Sequence, residues 1–298
     1  MHDAYDTGIK WAVTLSVCIV HWNTTDDLLT CIEALQANLN TRGSQEIIVV
    51  DNASTDGAAE RVCPLYPQVR WIQNATNRCF AEATNQAVAA STGELVTLLN
   101  PDARVTAGAL DTLASFLERD DADIVAPKLI WPDGRVQPSV RNHPTPKNVL
   151  LGAWTRPAPA SDAPQQVAQP MASCLMFPRT VWEKVGPMDE RFPLYFNDAD
   201  WSLRADIEGL NTWYVPAAVV VHDHAGTTSK VKLPALWESR KAWLRFNKKH
   251  FPNHPLRPLL TAMITMDAWR RTGRWWEPLG KDGGETTPED WHRAIISP

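Results

Sequence analysis

Between positions 13 and 131 the chain repeats one pattern: a short apolar run, a polar or acidic residue at its end, then a stretch with helical spacing. The runs are VTLSVCIVHW (13–22), EIIVVDN (46–52), VRWIQN (69–74), ELVTLLN (94–100) and DIVAPKLIW (123–131). Each is short and nearly continuous in apolar residues, as a strand covered on both faces must be. Between them, Thr24 and Asp27 form a helix-start pair, and Leu28, Ile32, Leu35 and Leu39 recur at helical spacing. FAEATNQAVAAS (80–91) reads as a small-residue helix closed by Gly93, and TAGALDTLASFLE (106–118) as another helix. Strands alternating with helices predict an α/β fold: a Rossmann-like, mostly parallel sheet flanked by helices.

The second half is less regular. Residues 141–169 are rich in Pro and Ala and read as one long loop, a candidate lid. MASCLMF (171–177) is a strand, RTVWEKV (179–185) a helix, and TWYVP and AAVVVHDH two short strands. Residues 231–252 and 255–271 read as two helices, so the expected organisation is a main domain over 12–229, a helical extension over 230–275 and a loose tail over 276–298.

Net charge is −5, yet residues 230–274 hold eleven Lys or Arg against only Glu238 and Asp267. Trp237, Trp243, Trp269, Trp275 and Trp276 fall in or just after this stretch. A basic, Trp-bearing segment on an acidic body fits an anionic lipid surface. Packing of its apolar stripe (Leu256, Leu259, Leu260, Met263, Ile264, Trp269) on the body or on a second copy in a homodimer is the competing expectation. No run reaches the roughly 18 apolar residues of a spanning helix, and no basic region followed by an apolar run opens the chain. Its five cysteines are scattered without CxxC spacing, as expected of reduced thiols. The expected location is cytoplasmic, peripheral on the inner face of the cell membrane, with no nucleic-acid partner.

Ligands of an open parallel sheet bind beyond the carboxyl ends of the strands. There the sequence places Asp51-Asn52 and Asn100-Pro101-Asp102. Neither GxGxxG nor GxxxxGK[ST] occurs, so no glycine cradle for phosphate is present. Carboxylates at strand ends suit a hard cation instead, Mg²⁺ or Mn²⁺.

The order strand-DNASTDG, NRCFAEATN, LLNPDA, GPMDERFPLYFNDADWSLR and VVVHDHAGTTS resembles family-2 glycosyltransferases of the GT-A fold, in particular their bacterial rhamnosyltransferase-like branch. The likeness runs from about Val13 to Ser229, and WESRKAWLRFNKKHF (237–251) is similar to the helix that follows there.

This resemblance implies sugar transfer from a nucleotide-sugar donor to a glycan or lipid-linked glycan acceptor in bacterial surface polysaccharide or glycolipid assembly. Asp198 matches the catalytic base. Asp102 matches a metal ligand, with His222 beside it. Asp51, Asn52, Asp56, Asn77, Asn85 and Asn100 match positions near the donor, and Arg204 is placed to reach the diphosphate. Local alternatives stand beside these roles: Asp56 as a helix cap, Asn100-Pro101-Asp102 as a turn, and Asp200 with Arg204 as an i, i+4 ion pair. Three departures from the family pattern are Asn197 for a glutamate, Cys79 for a glycine, and Thr227 or Thr228 for a serine. A non-catalytic nucleotide-sugar-binding homologue, or a sugar-phosphate nucleotidyltransferase of related sheet, are the alternatives to an active transferase.

Overall fold

A computed structural model describes residues 14–38, 44–154, 162–223 and 232–272. Strands are β1 (Leu15–His21), β2 (Gln45–Asp51), β3 (Arg70–Gln73), β4 (Leu95–Leu99), β5 (Ala103–Val105), β6 (Ile124–Ile130), β7 (Val140–Arg141), β8 (Gln165–Gln166), β9 (Gln169–Pro170), β10 (Cys174–Pro178) and β11 (Thr212–His222). Helices are α1 (Thr25–Asn38), α2 (Ala58–Val62), α3 (Cys79–Ala90), α4 (Ala109–Phe116), α5 (Pro146–Leu150), α6 (Arg179–Val185), α7 (Asn197–Ile207), α8 (Lys232–His250) and α9 (Arg257–Thr272).

Among the described residues one nine-stranded sheet runs β3-β2-β1-β4-β10-β6-β11-β5, with β8 added on β11. The ladders β1·β2, β1·β4, β2·β3 and β6·β11 are parallel. Strand β10 enters antiparallel between β4 and β6, so the sheet is mixed at its centre. Period-two alternation sorts the core into two layers. Val17, Ile19, Ile47 and Val49 face α1 and α4, where Leu28, Ile32, Leu35 and Leu113 close that side. Cys18, Ile48, Val50 and Leu98 face the other way, onto Ala83 and Ala87 of α3, Trp182 of α6 and Trp201 of α7.

Several expectations change. The 141–169 stretch is not one loop: β7 pairs with β9, α5 is capped by Thr145, and β8 pairs with β11. Pro146 sits in the first helical turn of α5, where a proline fits. The two strands foreseen around Pro216 are one strand, β11, with a register shift between Val215 and Val219. Ala103–Val105, between the expected turn at Pro101-Asp102 and the expected helix over 106–118, is a short antiparallel edge strand on β11. The tail 276–298, Thr227, Thr228, the boundary at 229/230 and Trp275 and Trp276 lie outside the described residues.

The extension packs on the body. Ala242 and Phe246 of α8 are buried against Phe192, Phe196, Ala199 and Leu203. Of the cations expected to face lipid, Lys249 instead reaches Asp200 (2.6 Å) and Asp189 (2.7 Å), and Arg245 pairs with buried Glu238. Helix α9 buries Leu260, Ile264 and Ala268, while Leu259, Met263, Met266 and Trp269 stay exposed. The foreseen stripe is therefore two stripes, one inward and one outward. No described helix is long and apolar enough to cross a membrane, and all five cysteines are free thiols.

Candidate functional site

A cavity of about 420 Å³ opens at the carboxyl ends of β1, β2 and β4, where an open sheet of this kind receives ligands. A second hollow, about 520 Å³, lies between Leu15, Leu95 and Arg179 at the opposite strand ends. The first gathers the chemistry: Asn52, Asn77, Asn100, Asp102 and Asp198 all line it. Backbone strain collects around it too. Among the described residues the non-glycine positions with positive φ are Asn23, Ala53, Cys79 and Phe196. Cys79 and Phe196 line the cavity, and Asn23 and Ala53 adjoin its Trp22 and Asn52. Left-handed backbone at such residues is unfavourable and is retained where the surrounding structure enforces it, which is most often at functional sites.

At the β2 end, Asn52 is only 2% exposed and acts as a hub. Its Nδ2 donates to Asn77 Oδ1 (2.8 Å) and to the Cys79 carbonyl (3.0 Å). Its Oδ1 accepts from the Arg78 amide at 2.8 Å. These bonds hold Cys79 at φ +62 although it has a Cβ where the family pattern has glycine. Burial pushes its thiol up to about 12, so it is not a nucleophile. Asp51 lies just behind the cavity wall, buried, with its Oδ1 accepting from the Ser54 amide at 2.8 Å. Asp56 caps α1 rather than its own helix, accepting from the Thr25 amide at 3.0 Å.

At the β4 end, Asn100 Nδ2 donates to Ser173 Oγ at 3.3 Å and faces His222 Nε2 at 3.4 Å. His222 Nε2 stands 3.3 Å from Asp102 Oδ1. Behind the ring, Gln137 Oε1 lies 2.8 Å from His222 Nδ1. Gln137 is 4% exposed and His222 fully buried. An amide oxygen at Nδ1 accepts from an N–H there, and in that tautomer the Nε2 lone pair faces Asn100 and Asp102. This is the outer partner that a metal-binding histidine ordinarily has.

Among the described residues no group of three or more His, Cys, Asp or Glu converges for a metal ion. The Asp102 carboxylate nevertheless fits Mg²⁺ or Mn²⁺, because such ions take one or two protein carboxylates and complete their shell with substrate phosphate and water, and His222 stands beside it. Two ligand atoms at right angles on such an ion stand about 3 Å apart, close to the 3.3 Å found here.

Asp198 opens α7, beyond Phe196 in the left-handed region. Burial raises its pKa above the usual carboxylate range, while hydrogen bonding from the Ala199 amide and the charge of Arg141 pull the other way. Asn197 explains itself here. Its Nδ2 donates to the carbonyls of Leu194 (3.1 Å) and Phe192 (3.4 Å), and its Oδ1 accepts from the Asp198 amide (2.7 Å). A glutamate could not donate those two bonds. Asn197 thus pins the 192–198 corner that aims Asp198.

The remaining expected residues lie elsewhere. Arg204 binds Asp200 (3.0 Å) and the carbonyls of Val185 and Pro187 (2.7 Å), and is not among the cavity-lining residues. Asn85 ties α3 to the following loop through Met188, its Nδ2 at 2.9 Å from the carbonyl and its Oδ1 at 2.8 Å from the amide. Sequence reading missed Gln137, Ser173, Arg141 and Trp154; each reaches the site through a contact distant in the chain, and none stands in a local pattern.

The sequence profile of glycosyl transferase family 2 matches residues 16–183. An N-acetylglucosaminyl-diphospho-decaprenol L-rhamnosyltransferase of Mycobacterium tuberculosis is 29% identical over 219 residues, covering 65% of this chain and 71% of that protein. The low-salt glycan biosynthesis hexosyltransferase Agl10 of Haloferax volcanii is 24% identical over 233 residues, 74% of this chain and 71% of its own. Among solved structures, the mannosyltransferase PcManGT of Pyrobaculum calidifontis, in complex with GDP-Man and Mn²⁺, superposes with a TM-score of 0.57 at 17% identity, covering 88% of this chain and 71% of that one. TarS (1–349) of S. aureus gives 0.56 at 14% identity over 89% and 93%. These likenesses show the GT-A glycosyltransferase fold.

Proposed function

The chain belongs to glycosyl transferase family 2, and we propose that it moves a sugar from a nucleotide-diphosphate-sugar to an acceptor hydroxyl in one inverting, metal-assisted displacement. The observation that carries this reading is one cavity lined by Asp102, beside oriented His222, and by Asp198 at the start of α7. Asn52 and Asn77, with Asp51 behind them, build the wall for the nucleoside end, Asn100 and Asp102 the middle. Asp102 and His222 would hold Mg²⁺ or Mn²⁺, which when bound offsets negative charge on the diphosphate leaving group.

Asp198 accepts the proton of the acceptor hydroxyl as its oxygen attacks the anomeric carbon from the face opposite the nucleotide. A carboxyl whose pKa is raised is a stronger base for that step. Asn197 and the Ala199 amide fix its direction. Asp56 and Asn85 serve the fold of the donor wall, and Arg204 the anchoring of α7.

The acceptor is a glycan or lipid-linked glycan of surface polysaccharide or glycolipid assembly, in keeping with the diphospho-decaprenol-linked acceptor in the mycobacterial relative's name. Exposed Leu259, Met263, Met266 and Trp269, with exposed Arg270 among them, form an interfacial helix face. The enzyme then works as a peripheral protein on an anionic membrane.

A thermal-shift panel of nucleoside diphosphates and their sugars, with Mn²⁺ or with chelator, tests the reading. One nucleotide series should stabilise the protein, and only with metal. Equal stabilisation in chelator would remove the metal from the account, and no stabilisation by any member would remove the donor.

A further inference from the structure

The cavity holds two carboxylates, Asp102 and Asp198, and Arg141 is the one Lys or Arg among its lining residues. Arg141 ends β7, where it pairs with Gln169 of β9. Its side chain is exposed, and its guanidinium makes no hydrogen bond or ion pair among the described residues. Other arginines of the body are occupied: Arg179 by Gly93 and Ser91, Arg204 by Asp200. A cation left open inside a concave site is placed for an anion that arrives with a ligand.

Strand order says which ligand. Along the carboxyl edge, β2 brings Asn52, β4 brings Asn100 and Asp102, and the turn before β10 brings Ala172 and Ser173. Arg141, on the β7–β9 ribbon that leads into that turn, lies past Asp102 from the nucleoside end. Asp198 lines the cavity together with Ala172 and Arg141, and the Arg141 charge acts on its carboxylate. Trp154 and Tyr195 also line the cavity, and such rings offer apolar surface to a sugar. The donor diphosphate already has Asp102 and its cation.

We propose that Arg141 binds the phosphate oxygens of an acceptor whose sugar is carried on a diphosphate, opposite the hydroxyl that faces Asp198. The inference rests on the transferase reading above and narrows its acceptor class. A guanidinium suits the task because its planar fork meets phosphate oxygens in pairs. A neutral acceptor would fill the far side of the cavity without meeting this charge.

The test loads the protein with Mn²⁺ and the nucleoside diphosphate found in the panel, then titrates octyl diphosphate, with octyl glucoside as the neutral control. Wild-type protein should bind octyl diphosphate. Arg141→Gln should weaken that binding at least tenfold, Arg141→Lys less, and both should leave nucleoside diphosphate affinity and octyl glucoside binding within twofold. The proposal is overturned if the loaded wild type does not bind octyl diphosphate or if Arg141→Gln binds it as well as wild type. It is equally overturned if the loss falls on the nucleoside diphosphate, which would make Arg141 a donor residue. Failure of the nucleoside diphosphate to bind wild type at all, seen in the first titration, would instead sink the transferase reading itself.

Discussion

Gln137 Oε1 sits 2.8 Å from Nδ1 of His222, so a residue remote from every motif sets which nitrogen of that ring faces Asp102. Gln137→Leu should weaken Mn²⁺ binding, measured by electron paramagnetic resonance with nucleoside diphosphate present, about tenfold or more. Gln137→Glu, which still accepts from Nδ1, should keep most of the affinity. Imidazole nitrogen shifts should report the Nδ1–H form in wild type. The opposite tautomer would show the amide turned round and His222 donating to Asp102.

Asp198 should trade stability for chemistry. Its folded-state pKa is raised, chiefly by burial, so the folded protein holds that proton more tightly than the unfolded chain. The stability this brings is full below the unfolded value of about 4 and is lost as pH rises through the folded value. At pH 7 the wild type carries a charge on a half-buried carboxylate at the cavity wall, which the fold disfavours. Asp198→Asn should therefore melt higher than wild type at pH 7, with the gap closing toward pH 4. A variant that melts lower at pH 7 would refute the burial argument.

Asp200, two residues on, has the opposite character. It is fully buried and meets Arg204 (3.0 Å), Lys249 (2.6 Å) and His250 (2.7 Å), which hold its pKa down against its burial. It fastens α8 to α7. Asp200→Asn should destabilise by about 3 kcal/mol, the order expected when one member of a buried ion cluster is neutralised. Denaturant unfolding measures it, and a change below about 1 kcal/mol would show a weak clasp.

The outer face of α9 should carry membrane binding. Leu259→Gln with Met266→Gln removes two residues that are 51% and 60% exposed, so the fold should be unaffected. Co-sedimentation with phosphatidylglycerol vesicles should fall sharply and should weaken with salt in the wild type. Equal binding by the double variant would move the contact elsewhere.

Much of this was legible in the sequence. Continuous apolar runs ending in Asp51 and Asn100 gave away β2 and β4, because strands buried on both faces leave that pattern. RTVWEKV read as a helix over the same residues as α6, and Asp200 with Arg204 showed their pairing by spacing alone. What stayed hidden depends on distant partners. β7 and β9 are two residues each and exist only because they pair. β5 is an edge strand defined by Val220, far along the chain. Asn85 and Arg204 carry residue types that suit a donor site, yet in the fold their hydrogen bonds go to Met188, Val185 and Pro187. Gln137 and Arg141 follow a Pro-Asp-Gly turn that carries no trace of His222 or Asp198.

Asp198 is the proposed base, and sugar transfer depends on it. The direct measurement is the rate of sugar transfer by Asp198→Asn beside its donor affinity by calorimetry, with Mn²⁺ present and the donor found in the panel. Donor affinity should stay within about threefold of wild type, and transfer should fall roughly a hundredfold or more, since the amide keeps the shape but cannot take the proton. Transfer within tenfold of wild type would contradict the assignment and leave the base to be sought elsewhere in the cavity.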